Sequence, residues 1–106
     1  MTTAKTQTWF VYILRCADNT LYTGVTTDVQ RRVMEHNHDK RLSARYTRAR
    51  RPVHLVYHEL CADRSHALRR EHAIRALSKR DKEKLLYAGR PARVKRVGIP
   101  TFLETD

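Results

Sequence analysis

From Trp9 to Arg15 the chain reads WFVYILR, an unbroken run of aromatic and branched residues. A run this short and apolar at every position predicts a strand covered on both faces, and therefore a central one. The polar CADNT that follows carries turn chemistry in Asp18 and Asn19, and LYTGV resumes the strand pattern, so Trp9 to Val25 is expected to form a hairpin. The period then changes. Thr27 and Gln30 have the spacing of a capping box, and the helix they open is expected to run to about Asn37. The segment NHDKRLSARYTRARRP has no period and reads as a long basic loop closed by Pro52, after which VHLVYHEL, Val53 to Leu60, reads as a third strand. Asp63 can cap a helix through about Leu77, and Ser78 with Asp81 signals a shorter one ended by Gly89. The expected fold is α/β in the α+β sense: a three-stranded antiparallel sheet flanked by helices, in the order ββαβαα.

At 106 residues and 41% hydrophobic content the chain can build one modest core, so a single domain is expected over residues 9–88, with a flexible N-terminus (1–8) and a basic, proline-broken C-terminal extension (89–106). Its 22 Lys and Arg against 11 Asp and Glu leave a formal charge of +11, a field that gathers polyanions whatever the fold. Nucleic acid is the first partner to consider, and charge alone does not choose between an enzyme acting on it and a basic binding protein. Cys16 and Cys61 match no metal spacing and are too few for a secreted disulfide framework, which predicts reduced packing residues. With no apolar run of membrane-spanning length and no secretory h-region after MTTAKTQT, a cytoplasmic protein without membrane contact is expected.

Chemistry enters with Gly24, which gives up packing inside a strand and so implies that something comes close to that backbone. If the hairpin loop is the three residues Ala17 to Asn19, Tyr12 lies opposite Gly24 and diagonal to Tyr22, and the glycine leaves space between two phenols; an even-numbered loop would separate them. On the first helix, Arg32 and His36 stand one turn apart along the edge of the buried face. An ordinary snorkelling arginine and surface histidine would look the same. On the next helix Glu71 falls among the apolar positions Ala67, Leu68 and Ile74, where a carboxylate needs a partner: an ion pair with Arg70 or Arg75, or a metal or catalytic role. His36-Asn37-His38 spells HNH, but that nuclease motif draws its residues from separate elements, so the consecutive letters carry no weight. His54, His58, His66 and His72 read as surface residues.

In order and spacing, Val11-Tyr12, Tyr22-Thr23-Gly24, Arg32, His36 and Glu71 resemble the GIY-YIG nuclease superfamily, most of all its small stand-alone bacterial members. The likeness covers roughly Trp9 to Tyr87 and extends to YTRARRPVHLVY and ALRRE. It implies a metal-dependent endonuclease that hydrolyses phosphodiester bonds of DNA, branched or single-stranded forms included and DNA before RNA, as in DNA repair. The implied roles are catalytic for Tyr12, Tyr22, Arg32 and His36 and metal-binding, for Mg²⁺ or Mn²⁺, at Glu71, with no small-molecule cofactor. Gly24 would open the substrate cleft. In the basic loop Lys40, Arg41, Arg45, Arg48, Arg50 and Arg51 would contact phosphate, which positions a protein without reading sequence. Each role has a physical basis. A single carboxylate leaves the ion mostly hydrated and free to take phosphate oxygens, arginine's planar fork offers parallel donors, and a tyrosine serves as a base only if cations such as Arg32 depress its pKa. The chain departs from the family in reading FVY at the first motif, Thr23 and Val25 around the second, and in having no asparagine after Asn37. The alternative is a non-catalytic or weakly active nucleic-acid-binding module on the same fold.

Overall fold

The computed structural model describes residues 7–88, so the expected N-terminal segment is described only at its last two residues, and the C-terminal extension with Gly89 lies outside the described residues. The hairpin forms from β1 (Trp9–Arg15) and β2 (Leu21–Thr26), antiparallel and in the register that the three-residue loop requires, with Tyr12 opposite Gly24 and Leu14 opposite Tyr22. Its turn sets that register. Asn19 takes a left-handed φ of 69°, which asparagine tolerates better than most residues, and Asp18 Oδ1 accepts from the Thr20 backbone N–H at 3.1 Å and hydroxyl at 2.6 Å.

The helix α1 (Val29–His38) starts one residue later than the capping-box reading places it: Asp28, not Thr27, is the N-cap and accepts from Arg31 N–H at 3.1 Å. A carboxylate at this position adds attraction to the helix dipole, and the neighbouring Thr26 hydroxyl in turn accepts from Asp28 N–H at 3.1 Å. The basic segment is not wholly irregular. It contains one short helical turn, α2 (Arg45–Arg48), without a side-chain cap. The third strand, β3 (His54–Cys61), pairs antiparallel with β1 on the side away from β2, giving the order β2-β1-β3 and placing β1 in the centre as expected. A register shift opposite Ile13 and Leu14, which pair with Tyr57 and Leu55, leaves Val56 as a bulge. The helices α3 (Arg64–Arg75) and α4 (Lys79–Ala88) follow, with Asp63 accepting from His66 N–H at 2.8 Å and Ser78 Oγ from Asp81 N–H at 3.1 Å, the two caps the spacing predicts.

Both faces of β1 are covered. Val11 and Ile13 pack with Ala67 and Ile74 of α3 and Leu86 of α4, while Tyr12 and Leu14 pack on the other face with Val53, Cys16, Tyr22 and Val33 of α1. This explains why the strand's apolar run is continuous rather than alternating. Cys61 belongs to the first cluster and Cys16 to the second; both are free and buried, in keeping with packing roles. A bidentate pair, Arg15 to Glu83 at 2.9 and 2.7 Å, ties α4 to the end of β1. No helix among the described residues is long and apolar enough to cross a membrane.

Candidate active site

Tyr12 is the centre of the site and is all but closed to solvent, with 1% of its surface exposed. Its hydroxyl meets His36 Nε2 at 2.8 Å, and the other ring nitrogen, Nδ1, meets the Thr47 hydroxyl at 2.7 Å. A Cβ placed on Gly24 would lie 2.5 Å from Tyr12 Oη and 2.7 Å from its Cζ. The glycine therefore makes room for the end of the phenol rather than leaving the open cleft that the sequence suggests. Its φ is not positive, so space and not backbone conformation is what this position requires.

Tyr22 stands beside this core, half-buried, with its ring 5.3 Å from that of His36 and 6.5 Å from that of Tyr12. Tyr46 of α2 stacks on it at 5.9 Å, and the guanidinium of Arg50 covers Tyr46 at 3.8 Å. Tyr22 and Tyr46 also line a groove of about 250 Å³ at the free edge of β2, together with Leu21, Thr23, Arg75 and Lys82. Of the two motif tyrosines, Tyr22 is thus the one an incoming molecule can reach.

Arg32 lies along the buried face of α1, where Nη1 donates to Glu35 Oε1 at 2.8 Å and to the Leu42 carbonyl. The guanidinium also acts as a donor toward the Tyr12 hydroxyl, a pull that lowers the phenol's pKa. Glu71 sits on α3, in the layer across the sheet from α1, with 19% of its side chain exposed and a loose pair to Arg75 at 3.6 Å. Arg70, the other expected partner, is instead committed to Glu59 at 2.6 Å. The fields of Arg32 and Glu71 nevertheless meet on the same two phenols. Burial pushes Tyr12 up to about 12, with Tyr22 adding and Arg32 opposing, and a smaller rise from Glu71. Tyr22 is raised as well, by burial first, with Arg32 and Arg75 lowering it and Glu71 raising it. The expectation that Arg32 would depress a tyrosine is thus half met: its pull is present, but desolvation of the phenolate is larger.

His36 departs further from its expected place at a helix edge. It is fully buried, both ring nitrogens are engaged, and its pKa is pushed down to about 4 by burial, with Arg32 and Arg51 adding and Glu35 opposing. It is a neutral imidazole at pH 7. An unfolded histidine titrates near 6.5, so between about pH 4 and that value the unfolded chain binds more protons than the folded one. Stability contributed by the neutral ring is fully present above the unfolded pKa and is lost as pH falls through this window, by about 3 kcal/mol in all. Urea melts across the window should show this slope in the wild type and a smaller one in His36→Gln; equal slopes would contradict it.

The basic loop divides into two groups. Arg51 donates to the His36 carbonyl at 2.6 Å and the Asp39 carbonyl at 2.8 Å, Arg50 pairs with Asp18 at 3.0 Å, and Arg48 bonds Ser43 through its hydroxyl at 3.3 Å and its carbonyl at 3.2 Å. Asn37 clamps the loop's exit, accepting from Val53 N–H at 2.7 Å and donating to Val53 O at 3.0 Å. These side chains fasten the loop over the site. Lys40, Arg41 and Arg45 are exposed, and their side chains form no hydrogen bond or ion pair among the described residues. Sequence reasoning missed Thr47, Tyr46 and Lys82, and gave Arg75 only as a partner of Glu71, which it is, without its place in the groove. Tyr46 and Thr47 stand at the head of the stretch YTRARRPVHLVY, a faint signal, and Lys82 carries none.

No group of three or more His, Cys, Asp and Glu side chains that could hold a metal occurs among the described residues. A fully protein-ligated ion is therefore not provided for by the described residues. The single, partly exposed carboxylate of Glu71, held among the described residues by a long contact to an exposed arginine, does fit a hydrated divalent ion that completes its sphere with water and phosphate oxygens.

The chain matches the GIY-YIG catalytic domain over residues 8–89. It is 59% identical to a UPF0213 protein of Desulfotalea psychrophila over 76% of this chain and 72% of that one, and 53% identical to a UPF0213 protein of Natronomonas pharaonis over 73% and 88%. The solution NMR structure of a UPF0213 protein from Bacillus halodurans is similar to it, with a TM-score of 0.51 and 42% identity, covering 79% of this chain and 88% of that one.

Proposed function

The chain belongs to the GIY-YIG family, a nuclease-type family, and to the UPF0213 proteins within it; from that premise we propose that it is a divalent-metal-dependent endonuclease hydrolysing phosphodiester bonds of nucleic acid, DNA before RNA. The observation that carries the reading is an edge-strand groove lined by Tyr22, Arg75 and Lys82, with Arg75 paired to Glu71 and the charges of Arg32 and Glu71 both felt by Tyr12 and Tyr22.

Tyr22 faces the groove and orients the attacking water, taking part in its deprotonation only as charge develops, since both phenols are neutral at rest. Arg32 uses the donors not bound to Glu35 and Leu42 to stabilise the charge growing on the phosphate oxygens. Tyr12 and His36 are buried and serve to position rather than to touch substrate. Glu71 would hold the Mg²⁺ or Mn²⁺, which when bound neutralises phosphate charge. The raised pKa of both phenols and the single metal-binding carboxylate also suit a module that binds nucleic acid and cuts slowly or not at all. A panel of labelled duplex, nicked, branched and single-stranded DNA and RNA, with and without Mg²⁺ or Mn²⁺ and beside Glu71→Gln, separates the two; absence of metal-dependent cutting on every substrate refutes the nuclease reading.

On binding, the exposed trio should bear the phosphate load. Replacing Lys40, Arg41 and Arg45 together by Ala is expected to flatten the log-log salt dependence of affinity by up to about 2–3, at roughly 0.7–0.9 for each phosphate no longer neutralised, with little change in melting temperature. Arg51→Ala should do the reverse, lowering the melting temperature through removal of its two carbonyl bonds while altering the slope little. An unchanged slope in the triple variant would exclude that surface.

A further inference from the structure

Thr47 is fully buried on α2, and its hydroxyl has two neighbours: His36 Nδ1 at 2.7 Å and the Ala44 carbonyl at 3.0 Å. A hydroxyl has one proton. If it goes to Ala44 O, the Thr47 oxygen must accept a proton from His36, so the ring is protonated on Nδ1 and bare on Nε2, and Tyr12 donates its own proton to Nε2 across 2.8 Å. In the opposite arrangement Thr47 donates to Nδ1, the ring carries its proton on Nε2, and the Tyr12 hydroxyl receives it. The phenol proton of Tyr12, at 1% exposure, then has no acceptor among the described residues, since its hydrogen-bonding neighbour besides His36, the Arg32 guanidinium, only donates. Leaving a buried donor unpaired forfeits its full desolvation cost with nothing in return. The second arrangement gains only the Ala44 N–H, 3.5 Å from Nδ1 and on a half-buried residue.

Resting on the nuclease reading of this site, we propose that Thr47 is a positioning residue that sets the tautomer of His36 and, through it, the direction of the Tyr12 hydroxyl. The chain of donors runs Tyr12 to His36 to Thr47 to the Ala44 carbonyl. Tyr12 thereby turns its oxygen lone pairs, not its proton, toward its other neighbours, among them Arg32, whose attraction for a developing phenolate lowers the Tyr12 pKa. The preceding residue, Tyr46, braces Tyr22 from the same helical turn, so α2 orients both motif tyrosines.

The test is the ¹⁵N-edited NMR spectrum of the His36 ring at neutral pH, in the wild-type chain and in Thr47→Val and Thr47→Ser. The wild-type ring is expected to show a protonated Nδ1 and an unprotonated Nε2; a protonated Nε2 overturns the proposal by itself, even if the valine variant fails to fold. Thr47→Ser should retain the wild-type pattern and Thr47→Val, which keeps the shape but lacks the hydroxyl, should lose it, and a valine variant with an unchanged ring refutes the role of Thr47. In cleavage, kcat should fall on the order of 10-fold in Thr47→Val with KM unchanged and return in Thr47→Ser. If the wild type cuts nothing, the nuclease reading fails while the ring spectrum still decides the tautomer.

Discussion

Glu71→Gln should lower metal-dependent cleavage by about 100-fold or more, the equivalent of roughly 3 kcal/mol of transition-state stabilisation. Glutamine keeps the shape of the side chain and removes the charge that would hold the ion. Binding of nucleic acid should survive or tighten, because deleting an acid next to a phosphate site in a chain of formal charge +11 removes repulsion. Stability should hardly change. The pair to Arg75 is 3.6 Å long and Arg75 is 66% exposed, so no more than about 1 kcal/mol rests on it, and Arg70 keeps its own partner in Glu59. A binding module that uses Glu71 only structurally predicts the converse: no cleavage to lose and, at most, a small shift in melting temperature. Cleavage, affinity and melting measured on the wild type and this one variant separate the two, and full activity in Glu71→Gln would remove Glu71 from the metal site.

Gly24→Ala is the second large effect. A methyl group 2.5 Å from Tyr12 Oη, 2.7 Å from Cζ and 3.1 Å from Cε2 cannot be accommodated without moving the ring. Tyr12 is held between its neighbours and has nowhere open to swing, so overpacking of about 1–3 kcal/mol is expected, together with rupture of the bond to His36. Cleavage should fall with it. In a Tyr12→Phe background the closest atom is gone while Cζ remains at 2.7 Å, so the added cost of Gly24→Ala should shrink but not vanish. The open cleft inferred from sequence makes a different forecast, in which alanine is neutral for stability and only obstructs substrate. A denaturant midpoint for Gly24→Ala equal to wild type would favour that cleft over the packed phenol.

The three strands, the three longer helices and their order were legible in the sequence, because they depend on local rules: a continuous apolar run for the central strand, and Asp63 and Ser78 as caps; the choice of the three-residue turn that sets Tyr12 opposite Gly24, and the short helix α2, were not. The sequence also drew attention to Tyr12, Tyr22, Arg32, His36 and Glu71, which the likeness to the GIY-YIG nucleases joined into one candidate site. What each of them touches was decided only by tertiary structure. Helical periodicity can place His36 at the edge of a face, but whether that edge is solvent or interior depends on Thr47, eleven positions on, folding over it. A count of arginines in a loop cannot separate Arg51, tied to two carbonyls, from Lys40, Arg41 and Arg45, which are exposed, because a guanidinium binds backbone carbonyls and phosphates with the same donors. Gly24 was legible as a position needing space. That the space is filled by a buried phenol follows from the packing of β1 against β2 and α1, a balance of desolvation and contact that no linear pattern encodes.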